Sequence, residues 1–69
     1  MDGHVFKLIE LTGTSKVSME DAVQTVIAQA AKTVRNMSWF QVTETRGALK
    51  DNKVAEWQVT LKVGFRIEG

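Results

Sequence analysis

The chain has no cysteine, no proline, no tyrosine, a single histidine and almost no charge excess: nine Lys and Arg against eight Asp and Glu leave +1. Each shortage closes off chemistry. Without cysteine there are no disulfides, no thiolate metal sites and no Cys nucleophile; this fits a reducing compartment without requiring one. The lone His4 lies near the terminus, so no Ser-His-Asp set is available, and no two carboxylates are spaced to share a pocket. A non-enzymatic protein with no metal site is therefore expected. Near-neutral charge argues against nucleic acid, which calls for a basic face and a pI above roughly 9. No apolar run approaches the roughly 18 residues of a membrane span, and the N-terminus lacks a basic region followed by an apolar one, so no signal peptide is expected. A soluble, cytoplasmic protein engaging neither membrane nor nucleic acid is the default.

What is present suits a folded domain: 43% hydrophobic and 25% charged residues. A length of 69 residues allows one domain, residues 1–69. A core in so short a chain rarely supplies more than ~3–5 kcal/mol. With disulfides excluded, self-association is the expected source of further stability.

Residues 1–3 read as a loose start. Residues 4–11 (HVFKLIEL) form the first predicted strand, ended by the turn cluster Thr12-Gly13-Thr14-Ser15. A helix is predicted over residues 18–36. Ser18 to Asp21 resembles a capping box with Asp in place of Glu or Gln, and Glu20 and Asp21 sit at the positive end of the dipole. Ala22, Val23, Val26, Ile27, Ala30, Ala31 and Val34 make one apolar stripe, and Asn36 can adopt the left-handed conformation that ends a helix. Residues 38–49 and 53–67 are the second and third strands, joined by Lys50-Asp51-Asn52-Lys53, a tight-hairpin signal.

The third strand alternates over thirteen residues. Ala55, Trp57, Val59, Leu61, Val63, Phe65 and Ile67 share one face; Glu56, Gln58, Thr60, Lys62, Gly64 and Arg66 share the other. The apolar face should cover the helix stripe. In the second strand Phe40 and Val42 should face the helix, leaving Trp39, Gln41, Thr43 and Thr45 on the polar face. The first strand carries apolar residues of both parities, so both its faces are expected to be covered, one by another subunit. A right-handed crossover makes strands one and two parallel, with strand three between them. The predicted fold is α+β: β-α-β-β, a three-stranded antiparallel sheet of order 1-3-2 packed on one helix, its other face open for assembly.

On that open face Trp39 is the main candidate. An indole is a broad, electron-rich plane that stacks on other planar systems; equally, it can pack against a symmetry mate. Gln58 offers both acceptor and donors, suited to a flavin pyrimidine or uracil edge, or it is simply a solvated amide. Arg46 and Arg66 match phosphate geometry, or pair with surface carboxylates. Glu44 reads most simply as a solvated charge.

Three runs, in order and at their spacing, resemble the dodecins: residues 7–15 (KLIELTGTS) before a capped helix, residues 39–47 (WFQVTETRG) and residues 57–66 (WQVTLKVGFR). The resemblance covers residues 4–68. It implies a hollow homododecamer in which two isoalloxazines stack between paired tryptophans at a two-fold contact. The matching positions are Trp39 for the stack and Gln58 for the pyrimidine edge. Arg46, in Trp-Phe-x-Val-x-Glu-x-Arg-Gly, matches the bacterial branch that prefers FMN and is associated with its phosphate, riboflavin or FAD being the other flavins. Glu44 and Thr45, within the same motif, complete the candidate set. Some bacterial members also bind coenzyme A near a three-fold axis, for which Arg66 is the candidate. The implied function is storage, sequestration and photoprotection of flavin, without turnover. The competing readings are an α+β interaction module that oligomerises without a tightly bound cofactor, a small flavin-dependent enzyme, which lacks acid–base candidates near Trp39, and a nucleic-acid binder, which lacks a basic groove.

Overall fold

The computed structural model describes residues 3–68; of the loose start expected at residues 1–3, Met1 and Asp2 lie outside them. The elements are β1 (Phe6–Ser15), α1 (Met19–Ala30), β2 (Met37–Lys50) and β3 (Lys53–Arg66). They form one sheet of order β1-β3-β2 in which β3 is antiparallel to both neighbours, as the alternation and crossover rule imply.

The first strand is displaced from its expected limits. It starts at Phe6 and runs straight through the cluster expected to end it, with Thr12 opposite Thr60 and Ser15 opposite Trp57. Threonine favours strands, β3 remains available as a partner, and the Thr12 and Thr60 hydroxyls bond at 2.8 Å. Gly13 is not a turn residue but a crossing point. A Cβ there would collide with Val26 Cγ2 and lie 3.0 Å from the Ala22 carbonyl oxygen, so its absence lets α1 lie directly on the strand.

Ser18 caps α1 by accepting from the Asp21 N–H at 3.0 Å. The reciprocal half of the box is relayed. Buried Ser15 donates to the Asp21 carboxylate at 2.6 Å, while its Oγ accepts from the N–H groups of Val17 and Ser18 at 2.9 and 3.3 Å. The helix ends at Ala30, short of the predicted Asn36. Residues 31–34 continue in tight turns, with the Lys32 N–H on Gln29 and the Thr33 N–H on Ala30. Asn36 does take a left-handed φ of 64°, but as the entry to β2. Its carbonyl accepts from the Arg66 N–H at 3.1 Å, so attachment to the sheet wins over continuation of the helix.

Ala22 and Val26 of α1 pack on Val59, Leu61 and Val63 of β3 to form the buried core, flanked by Ile9, Leu11, Met19, Val23, Ile27 and Met37. The β3 contribution is the predicted parity. Asp51 and Asn52 both have positive φ, 53° and 64°, which makes the β2–β3 connection the two-residue turn that matches strand twist. Beyond Ser15 the β1 edge stops and residues 48–56 project as a two-stranded arm, so the molecule measures 57 × 20 × 13 Å.

The helix packs mainly on β1 and β3; β2 joins the core through Met37 and is otherwise left largely uncovered. Phe40 and Val42 do point to the helix side, opposite Val63 and Leu61, yet they remain 50% and 39% exposed. Twelve helical residues on a three-stranded sheet are too few to cover its outer strand.

Candidate functional site

The face away from the helix carries two groups of side chains at opposite ends. At one end Trp39 of β2 lies opposite Gly64 of β3. A Cβ at position 64 would collide with the six-membered ring of the indole, so the ring rests on bare backbone there. Phe6, across from Arg66 on β1, meets the indole with centroids 5.0 Å apart and planes tilted by 60°. The inner surface of the indole is thus seated and its outer surface is open; Trp39 is 45% exposed. This end of the face is not polar, because Phe6 and Leu8 stand exposed beside the tryptophan. Trp39 is on the expected face, and β1 extends its apolar surface with the parity that α1 leaves uncovered.

At the other end, Arg46 and Gln58 are directly paired across β2 and β3. The Arg46 Nε donates to Gln58 Oε1 at 2.6 Å, and the Gln58 Nε2 donates to a Glu56 carboxylate oxygen at 2.9 Å. The Arg46 guanidinium also meets Glu44 at 3.3 Å. The arginine and glutamine singled out from sequence therefore touch each other, with carboxylates on either side.

Trp39 and Gln58 do not meet within one protomer. Gly64, beneath Trp39, is six residues along β3 from Gln58, about 20 Å at strand rise. Arg66 lies at the tryptophan end, two residues beyond Gly64, with its backbone bonded to Asn36. Thr45 is a correction. A register shift between Val42 and Glu44 inserts Thr43 as an extra residue, which bonds the Thr60 carbonyl at 3.2 Å. The bulge turns Thr45 to the helix side, opposite Val59, where it lines an open apolar groove of about 340 Å³ with Met19, Val23, Phe40 and Val42. Strict alternation from Trp39 put Thr45 on the other face.

Three participants escaped the sequence reading: Phe6 and Gly64, which seat the indole, and Glu56, which holds Gln58. Gly64 carried a signal, since it is the one glycine in the alternating strand, and glycine inside a strand marks a close approach. Among the described residues no three of His, Asp and Glu gather as a metal site, and no helix is long and apolar enough to cross a membrane.

Comparison with known proteins gives one consistent result. The family model described as Dodecin matches residues 5–68. A curated dodecin of Thermus thermophilus is 48% identical over 66 residues, 96% of each chain. Among solved structures, dodecin from Streptomyces coelicolor superposes with a TM-score of 0.94 at 42% identity, covering 100% of this chain and 99% of that one. Dodecin from Streptomyces davaonensis gives 0.93 at 40% identity, over 99% and 100% of the two chains.

Proposed function

The chain belongs to the dodecin family, and from that premise we propose that it is a flavin-binding storage and sequestration protein which holds the isoalloxazine plane on Trp39 at a contact between subunits of a homododecamer. FMN is the proposed ligand. The observation that carries the reading is the seat of the indole: flat on Gly64, braced by Phe6, open on its outer surface, and flanked by exposed Leu8. That arrangement fits a planar aromatic ligand, whose stacking on a side chain of this kind is worth about 1–3 kcal/mol.

The separation of the two ends gives the site its assembly requirement. A three-ring ligand on Trp39 is too short to reach Gln58 of the same protomer, about 20 Å away. The amide that reads its pyrimidine edge therefore comes from another subunit. A ligand phosphate has two candidate partners: Arg46, already paired with Glu44 and Gln58, and Arg66 at the tryptophan end. Arg66 is also the residue proposed for coenzyme A. Bound flavin supplies a light-absorbing, redox-active ring system. Trp39 positions that ring and, as an electron-rich neighbour in contact, quenches its excited state, while the close stack leaves no place for a second substrate.

The test is addition of FMN to the purified protein, followed by visible absorption, flavin fluorescence and eluted size. Yellow protein with strongly quenched flavin emission, eluting near twelve subunits, is the expected result. Trp39→Ala should weaken FMN binding by at least about tenfold. A Trp39→Ala protein that binds FMN as tightly as the parent sinks the assignment. A large but permanently colourless assembly favours the interaction-module reading, for which the bare Phe40 and Val42 strip is the supporting observation.

A further inference from the structure

Gln58 is held at both ends by groups that leave its amide no choice of orientation. Arg46 Nε can only donate, so the oxygen of Gln58 must face it; the Glu56 carboxylate can only accept, so the nitrogen must face Glu56. The 2.6 and 2.9 Å bonds obey this polarity, and the assignment rests on chemistry, since reversing the amide would set donor against donor and acceptor against acceptor. The scaffold enforces it. Glu56 and Gln58 are two residues apart on β3 and so share a face, and Arg46 is the direct cross-strand partner of Gln58. Gln58 is half-buried, which makes a mispaired amide more costly than one in open water.

Among the described residues the amide makes no further hydrogen bond, which leaves a second lone pair on Oε1 and a second N–H on Nε2. Oε1 and Nε2 are bonded to one carbon, so acceptor and donor stand in a fixed order, the acceptor on the Arg46 side and the donor on the Glu56 side. We propose that Glu56 is a positioning residue for ligand selection: with Arg46 it locks the Gln58 amide so that it recognises a ring edge carrying an N–H beside a C=O, the imide portion of the flavin pyrimidine. The inference rests on the flavin reading above and assigns Glu56, outside the three family-like runs, to that site. An unlocked glutamine can present its donor where the ligand also has a donor; the locked one cannot. Arg46 acquires a second duty by the same geometry, because the guanidinium proposed for phosphate is also one half of the clamp.

The test compares FMN with its N3-methyl derivative, which has lost the ring N–H. Binding of each is titrated by flavin fluorescence to the parent protein, Glu56→Ala and Glu56→Gln. Circular dichroism and eluted size verify that the variants fold and assemble. The parent should prefer FMN by about tenfold or more, the scale of a hydrogen bond lost with its partner left unsatisfied. In Glu56→Ala the preference should fall to about threefold or less, chiefly through weaker FMN binding. Glu56→Gln keeps an oxygen that accepts from Gln58 Nε2, so it should recover most of the preference. If Glu56→Ala weakens both ligands equally, Glu56 acts only on general stability and the proposal is overturned while the flavin reading stands. If Glu56→Gln behaves like Glu56→Ala in a folded assembly, the hydrogen-bond account is likewise overturned. A parent protein that binds neither ligand overturns both readings together.

Discussion

Trp39 and Gly64 form a unit in which the smaller residue matters as much as the larger. An exposed indole on an ordinary strand would stand away from the sheet and sample several rotamers, losing entropy whenever it ordered around a ligand. Over Gly64 it has a floor, and Phe6 closes one side. Gly64→Ala tests this without touching the indole itself. The added methyl occupies the volume under the six-membered ring, so the ring must lift or rotate. FMN affinity should fall by about tenfold, a cost of the order of one off-rotamer side chain, while the fold persists because the methyl points away from the core. Unchanged affinity would show that the ligand-ready pose does not depend on the glycine. Alanine at position 13 has a different consequence, since its Cβ would push into Val26 and the helix backbone; there the damage is to stability.

At the level of elements, the α1 start and the β1 end are one hydrogen-bonded structure. Ser15 belongs to the strand by pairing and to the helix by capping, taking the Val17 and Ser18 N–H groups and donating to Asp21. Ser15→Ala removes all three bonds from a buried position and should destabilise the folded protein by about 1–3 kcal/mol in urea or thermal unfolding. Ser18→Ala, which loses the single bond from Asp21, should cost about 1 kcal/mol. A smaller loss for Ser15 than for Ser18 would contradict the relay. These elements also show what could be read from sequence. The sheet order, the β3 parity, the Ser18 cap and the Asp51-Asn52 turn follow from periodicity and local conformational preference, and all are present in the structure. The limits of β1 and α1 were not legible, because both are set by tertiary events: Gly13 serves a helix crossing, and the Asn36 carbonyl is taken by Arg66. The Thr43 bulge left no mark either, since the segment alternates well enough to look regular, and with it the face of Thr45 was lost. In the candidate site, Trp39, Gln58 and Arg46 could be named from residue type and family likeness, whereas Glu56, two residues from Gln58 on β3, and Phe6, on β1 beyond β3 from Trp39, gained their parts only from side-chain contacts in the folded sheet.

The whole molecule is a sheet too large for its helix. Phe40 and Val42 on the helix side, and Phe6, Leu8 and Trp39 on the other, leave apolar surface on both faces, more than a short chain without cross-links can leave in water at little cost. The self-association proposed above would resolve this. Val42→Glu, at a position that touches neither Trp39 nor Gln58, should reduce the eluted size to smaller species by placing a charge in an apolar contact, with circular dichroism retaining the β-α-β-β signature. A full-sized assembly from Val42→Glu would mean that the strip beside α1 is not part of the contact.

The distance between Trp39 and Gln58 carries one further consequence. If the proposed flavin site is divided between protomers, ligation and association are linked equilibria. On the proposed function, flavin would stabilise the oligomer by the same free energy by which the oligomer favours flavin. An apparent dissociation constant then depends on protein concentration, and dilution releases ligand even where the intrinsic contacts are tight. Such a protein does not hold its cargo with a pocket of fixed strength. It would retain flavin when both components are abundant and surrender it when either becomes scarce, a response to supply steeper than any single protomer could provide.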